Sequence, residues 1–203
     1  MKLRGLYALT PDIADRRRLM ALVGRALEGG IAALQYRCKT LSSSERLAEA
    51  TALAALCRAR GVTFIVNDDP GIALAADADG AHLGRDDGDP GLVRARLGAK
   101  LLGISCYDSL AAARDAVSAG ADYVAFGSVF ASPTKPAAVR APLELFARAK
   151  SLGVPLVAIG GITLETAPQL VAAGADALAV ISDLFDAPDV RDRAQAYGKL
   201  FSR

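Results

Sequence analysis

Eight short apolar runs, separated by stretches of helical periodicity, constrain this chain more than any other feature of its sequence. They cover residues 5–9, 31–36, 62–66, 80–83, 100–105, 123–126, 155–159 and 177–180. Several are near-continuous in Val, Ile, Leu and Ala, as expected of parallel strands covered by helices. The helices between them carry boundary signals with known mechanisms. Ser42 and Glu45 stand at capping-box spacing ahead of residues 46–60, and Gly61 suits the stop. Asp69 before Pro70 and Asp89 before Pro90 each set an acceptor at the cap and a proline at the first helical position. Pro142 is expected to open another helix in the same way. Ala-Gly-Ala-Asp recurs at 119–122 and 173–176, each time where a helix gives way to a strand.

Eight strand-helix units in 203 residues average about 25 residues each, with no composition break and no linker. The chain therefore reads as one α/β domain over residues 1–203. Right-handed crossovers leave two main closures, an eight-fold (β/α)8 barrel of the TIM type or an open doubly wound sheet. An open sheet usually shows a glycine-rich nucleotide loop after its first strand, and Leu9-Thr10-Pro11-Asp12 is no such loop. A compact single-domain TIM barrel is expected. Its core must be built from small side chains, because hydrophobic residues make up 52% of the chain but aromatic ones only 5%.

A formal charge of +2 gives no electrostatic footprint for nucleic acid or an anionic membrane, so any anion site is local. The longest uncharged stretch, residues 151–164, contains Gly and Pro and is too short to span a bilayer. No signal peptide is read at the start. Three cysteines, Cys38, Cys57 and Cys106, without paired spacing, and a lone histidine, His82, argue against disulfides and zinc and fit a reducing cytoplasm.

In a barrel, reacting groups sit at the C-terminal ends of the strands. The second run ends in Gln35-Tyr36-Arg37-Cys38-Lys39, where a period of two points Gln35, Arg37 and Lys39 one way and turns Tyr36 and Cys38 toward the helices. The third ends in Asn67-Asp68-Asp69, and the fourth in His82 with Arg85, Asp86 and Asp87 beyond it. Asp69 and Asp89 have capping work, whereas Asp68, Asp86 and Asp87 have none. Such carboxylates suit Mg²⁺, which prefers oxygen and is completed by substrate phosphates; a solvated loop fits the spacing equally well. Ser105 ends the fifth run, Ser132-Pro133-Thr134-Lys135 follows the sixth, Gly160-Gly161 the seventh and Ile181-Ser182 the eighth. The last two occupy the positions where barrels commonly bind phosphate through backbone N–H groups. Cations, hydroxyls and metal-type carboxylates, with one imidazole and no hydrolase triad, suit an enzyme that holds a diphosphate and absorbs its departing charge.

In this order on successive strand ends, these motifs make the chain resemble the thiamine-phosphate synthase family along essentially its whole length. The resemblance implies a cytoplasmic transferase of thiamine biosynthesis. It would join an aminopyrimidine carrying a methylene diphosphate to a thiazole phosphate, with diphosphate leaving first. By resemblance, Gln35, Tyr36, Arg37, Cys38, Lys39, Asn67, Ser105 and Lys135 hold the pyrimidine diphosphate. Arg37, Lys39, Ser105 and Lys135 would serve catalysis, and Asp68 and Asp87 would bind one Mg²⁺. Ser132, Pro133, Thr134, Gly161, Ile181 and Ser182 would hold the thiazole phosphate. Small-molecule substrates, and neither nucleic acid nor membrane, are the expected partners.

Three positions depart from the family's usual pattern. Cys38 stands where an acidic residue is common, Ser132 where threonine is frequent, and Arg85 where glutamine often precedes the acidic pair. Cys38 leaves Arg37 and Lys39 without an adjacent carboxylate. Three alternatives compete, one of them another phosphate-binding barrel such as a sugar-phosphate isomerase or lyase, which usually needs a strand-end lysine, glutamate or histidine acting on a carbon acid. A thiazole tautomerase-like relative would want a histidine where this chain has Tyr107, and a non-catalytic regulator could lose Asp68, Asp87 and Arg37, all of which are present.

Overall fold

Alternation along each apolar run gives the sheet two different faces. Leu6 and Ala8, Leu34 and Tyr36, Phe64 and Val66, Ala81 and Leu83 belong to the core between sheet and helices. Tyr7 and Leu9, Ala33, Ile65, Tyr123 and Ala125, Val157, Ala177 and Ala179 form a second, smaller core on the other face. A sheet with both faces buried and one far more confined must curl on itself. The computed structural model, which describes residues 3–131 and 140–202, shows that closure.

The strands are β1 (Gly5–Leu9), β2 (Ala33–Tyr36), β3 (Thr63–Asn67), β4 (Gly80–Leu83), β5 (Leu101–Tyr107), β6 (Tyr123–Phe126), β7 (Leu156–Ile159) and β8 (Ala177–Val180). They form a closed barrel in sequence order. Every pair is parallel, and β1 meets β8 with Leu6 opposite Leu178. Outside lie α1 (Arg16–Glu28), α2 (Ser43–Arg58), α3 (Pro70–Ala75), α4 (Pro90–Leu97), α5 (Leu110–Ser118), α6 (Glu144–Ala149), α7 (Ala167–Ala173), α8 (Ser182–Phe185) and α9 (Val190–Lys199). Among the described residues, no helix is long and apolar enough to cross a membrane.

The predicted boundary chemistry is present at α2, α3 and α4. Ser42 and Glu45 form the reciprocal capping box of α2. Asp69 accepts from Ile72 N–H ahead of α3, and Asp89 from Leu92 N–H ahead of α4, each with proline at the start. Pro142 does not open α6. Its carbonyl accepts from Leu145 N–H in a preceding turn, and the helix begins at Glu144.

The Ala-Gly-Ala-Asp repeats also find a reason. Asp122 and Asp176, immediately ahead of β6 and β8, accept from Leu102 N–H on β5 at 2.8 Å and Leu156 N–H on β7 at 2.9 Å. Asp79, ahead of β4, does the same for Phe64 N–H on β3 at 2.7 Å. Three carboxylates thus tie three strand pairs at the N-terminal end of the barrel. The opposite end is left for chemistry.

Candidate functional site

The interior alternation carries Gln35, Asn67, His82 and Ser105 on the same face as Ile65 and Tyr123, at or near the C-terminal ends of β2 to β5. Gln35 and His82 are buried, at 3% and 6% exposure, in a barrel otherwise filled by apolar groups and tyrosine. Buried polar groups of this kind need partners. Gln35 Nε2 donates to Tyr7 Oη at 3.0 Å, and His82 Nε2 lies 2.8 Å from Ser105 Oγ.

At the rim, the structure separates the acidic residues by role. Asp68 turns with φ of 64°, in the left-handed region that Asp tolerates better than most residues. Its N–H still donates to His82 C=O at 2.8 Å. Asp87 Oδ2 accepts from Gly84 N–H at 2.7 Å, which folds the loop after β4 back onto its strand. The Asp68 and Asp87 carboxyls lie close enough to influence one another. Burial, and then Asp87 beside it, pushes the Asp68 carboxyl up to about 6, while Lys39 and Arg37 pull the other way. Two carboxylates crowded with two cations in reach therefore occur where the second, third and fourth strands end. Asp86 is exposed and has no hydrogen bond or ion pair to any of the described residues.

The donor set fits Mg²⁺. Asp68 and Asp87 offer only oxygen and resist being ionised together, a repulsion that a divalent cation relieves. Among the described residues, no group of three or more ligating side chains forms a fuller cage. Open positions completed by phosphate and water are the usual Mg²⁺ arrangement.

The Tyr36 side chain faces away from this mouth. Its hydroxyl donates to buried Glu49 on α2 at 2.8 Å, so only its backbone is available to a ligand at the strand end. Cys38 also turns outward, its Sγ 3.6 Å from Asp12 Oδ1. Asp12 supplies the carboxylate that Cys38 does not. Its oxygens accept from Lys39 N–H at 3.3 Å and Thr40 Oγ1 at 3.0 Å. Thr10, buried below, accepts from Arg37 N–H at 2.9 Å and donates to Arg37 C=O at 3.1 Å. The loop after β1 thus fixes the backbone that carries both cations, a role no local signal around Cys38 announces.

Arg85 also has a partner. Its guanidinium carbon lies 4.5 Å from the centre of the Tyr107 ring, and Tyr107 takes a φ of 54° at the end of β5. Across the mouth, Gly160 and Gly161 have φ of 105° and 62°. A Cβ on Gly160 would fall 2.7 Å from Ser128 Cα, and one on Gly161 2.3 Å from Ala131 O. Both glycines are therefore needed where the loops after β6 and β7 pack. Ile181 precedes α8, whose first turn leaves backbone N–H groups without intrahelical partners, and Ser182 is exposed beside it. Ser132, Pro133, Thr134 and Lys135 lie outside the described residues.

Two open recesses elsewhere, one of about 230 Å³ lined by Arg58, Thr63, Phe64, Asp77 and Asp79 and one of about 440 Å³ lined by Thr63, Asp79, Lys100 and Leu101, lie at the opposite end of the barrel. Arg58 and Lys100 already pair with Asp77 there, at 2.8 and 3.0 Å. That end of a barrel serves stability.

Comparison with known proteins agrees with this geometry. Residues 6–184 match the family model described as thiamine monophosphate synthase. A thiamine-phosphate synthase of Aromatoleum aromaticum is 58% identical over 202 residues, covering 98% of this chain and 97% of its own. The solved thiamine phosphate pyrophosphorylase of Pyrococcus furiosus superposes with a TM-score of 0.87 at 36% identity, covering 99% of this chain and 96% of the other. A 3-hexulose-6-phosphate synthase of Salmonella typhimurium shares the fold alone, with a TM-score of 0.75 at 18% identity over 97% of this chain and 98% of its own. Because barrels of unlike chemistry share the fold, sequence identity over nearly the full length decides, and this chain, a transferase, belongs to the thiamine monophosphate synthase family.

Proposed function

We propose that the mouth formed by β2 to β5 binds an aminopyrimidine methylene diphosphate beside a thiazole phosphate, and that diphosphate leaves before the thiazole nitrogen attacks. The observation that carries this reading is the convergence of Arg37, Lys39, Asp68, Asp87 and Ser105 at the ends of β2 to β5. One Mg²⁺ held by Asp68 and Asp87 would neutralise charge on the diphosphate. Arg37, Lys39, Ser105 and Lys135 would hold the diphosphate oxygens as negative charge grows on them, and removing one such contact typically costs about 3 kcal/mol in the transition state. Gln35 and Asn67 would orient the pyrimidine from inside the barrel.

The attacking thiazole nitrogen has its own lone pair, so the step needs no general base. Among the described residues none is well placed: His82 is enclosed, with its pKa lowered to about 4 by burial. Gly161, Ile181, Ser182, Ser132, Pro133 and Thr134 would hold the thiazole phosphate. We assign the reaction to the cytoplasm, which suits the buried Cys57 and Cys106, whose thiols burial pushes up to about 12.

The decisive assay follows diphosphate and thiamine phosphate together, with both substrates, with and without Mg²⁺. Both products should appear in equal amounts and only with the metal. Asp87→Ala should abolish turnover while Asp86→Ala keeps most of it. Equal losses in the two variants would remove Asp87 from the proposed metal site.

A further inference from the structure

Two tyrosines and the only histidine of the chain form a single file of hydrogen bonds through the barrel interior, joining two residues of the mouth. Gln35 Nε2 donates to Tyr7 Oη at 3.0 Å, and the Tyr7 and Tyr123 hydroxyls are 2.8 Å apart. Tyr123 Oη lies 3.1 Å from His82 Nδ1, and His82 Nε2 lies 2.8 Å from Ser105 Oγ. Tyr7 and Tyr123 are each 1% exposed. The barrel makes room for this arrangement at one position: Gly103 pairs with Tyr123 across β5 and β6, and a Cβ there would fall 2.0 Å from the Tyr123 ring. The His82 ring stacks on the same tyrosine, with centroids 5.5 Å apart.

A phenol has one proton to donate, so each link constrains the next. With Gln35 donating, Tyr7 must donate to Tyr123 and Tyr123 to His82 Nδ1. The histidine proton then sits on Nε2 and points at Ser105 Oγ, which leaves the Ser105 hydroxyl hydrogen free to turn to the mouth. In the reverse order, the Gln35 carbonyl would accept from Tyr7 and Ser105 would donate to His82, presenting lone pairs to whatever binds. An anion at the mouth is held only by the first order. A charged imidazole would break the file, because both ring nitrogens would then donate.

We propose that Tyr7, Tyr123 and His82 are positioning residues that hold one proton order, running from Gln35 to Ser105, so that the Ser105 hydroxyl is presented as a donor to the leaving diphosphate. The contact with diphosphate rests on the function proposed above; the proton order does not.

Because the chain has one histidine, untagged protein labelled with ¹⁵N-histidine yields one pair of ring nitrogen signals. At neutral pH without ligand, Nε2 should carry the proton and Nδ1 should not. In Tyr123→Phe that preference should give way to a mixture. A proton on Nδ1 in the wild-type protein, or averaging between the two nitrogens, overturns the inference whether or not any variant folds.

The kinetic arm uses a double-mutant cycle. Tyr123→Phe should lower kcat about tenfold with KM for thiazole phosphate unchanged, and by less than twofold when Ser105→Ala is already present. Equal losses in both backgrounds would show that Tyr123 does not act through Ser105. An Nε2 proton without any diphosphate release would sink the proposed function and leave the order standing. Normal turnover with an Nδ1 proton would do the reverse.

Discussion

His82 is held neutral by its enclosure, and this has a measurable consequence for stability. Burial lowers its pKa from the ordinary 6.5 to about 4, against a weaker upward pull from the Asp87 charge. Below pH 6.5 the unfolded chain binds a proton that the folded one refuses, so the unfolded state holds more protons. The folded-state advantage is complete above pH 6.5 and is lost as pH falls toward about 4, by about 3 kcal/mol in all. Asp68, whose carboxyl is raised, contributes a slope of opposite sign. The difference between wild type and His82→Gln isolates the histidine. Urea unfolding from pH 7 to pH 4.5 should show a steeper acid loss in the wild-type protein, and parallel curves would mean that the imidazole is not shielded as the structure has it.

At the scale of elements, the aspartates ahead of β4, β6 and β8 act as braces between neighbouring strands. Asp176 is the clearest case, since it accepts from Leu156 N–H and also pairs with Lys150 at 2.9 Å. Asp176→Ala would leave a buried strand N–H with one acceptor fewer, a loss of about 1–3 kcal/mol. Its unfolding midpoint should fall while turnover stays within twofold. A collapse of turnover at unchanged stability would connect this end of the barrel to the chemistry.

The strands themselves were readable from their apolar runs, and β1, β4, β6 and β8 begin and end where the runs do. Elsewhere the bounds move. β5 continues past Ser105 to Tyr107 through an irregularity in its pairing with β6, which no apolar pattern marks. What lay beyond sequence reasoning is long-range. Tyr7 and Tyr123 are 116 residues apart, and Asp12 reaches Lys39 from another loop, so neither partnership leaves a local trace. Strand-end polarity exposed the mouth, but not what orients its residues.

For the molecule as a whole, closure in sequence order means that no single element carries the mouth. Arg37 and Lys39 follow β2, Asp68 follows β3, Asp87 follows β4, and Ser105 belongs to β5. A ligand that needs all of them binds only the closed barrel, so its binding energy is added to the stability of the whole fold. If the proposed metal site holds, Mg²⁺ and diphosphate should act together, because phosphate oxygens would complete a coordination begun by Asp68 and Asp87. At a hundredfold excess over Kd the gain is about 2.7 kcal/mol, which for a chain of this size raises Tm by roughly 5–10 °C. Thermal unfolding with Mg²⁺ alone, diphosphate alone and both should show a combined shift larger than the sum of the separate ones. In Asp87→Ala the excess should vanish while the small shift from diphosphate alone, due to Arg37 and Lys39, survives. If the excess persisted unchanged in that variant, the metal would have to be held away from Asp87, and the pairing of that carboxylate with Asp68 would need another explanation.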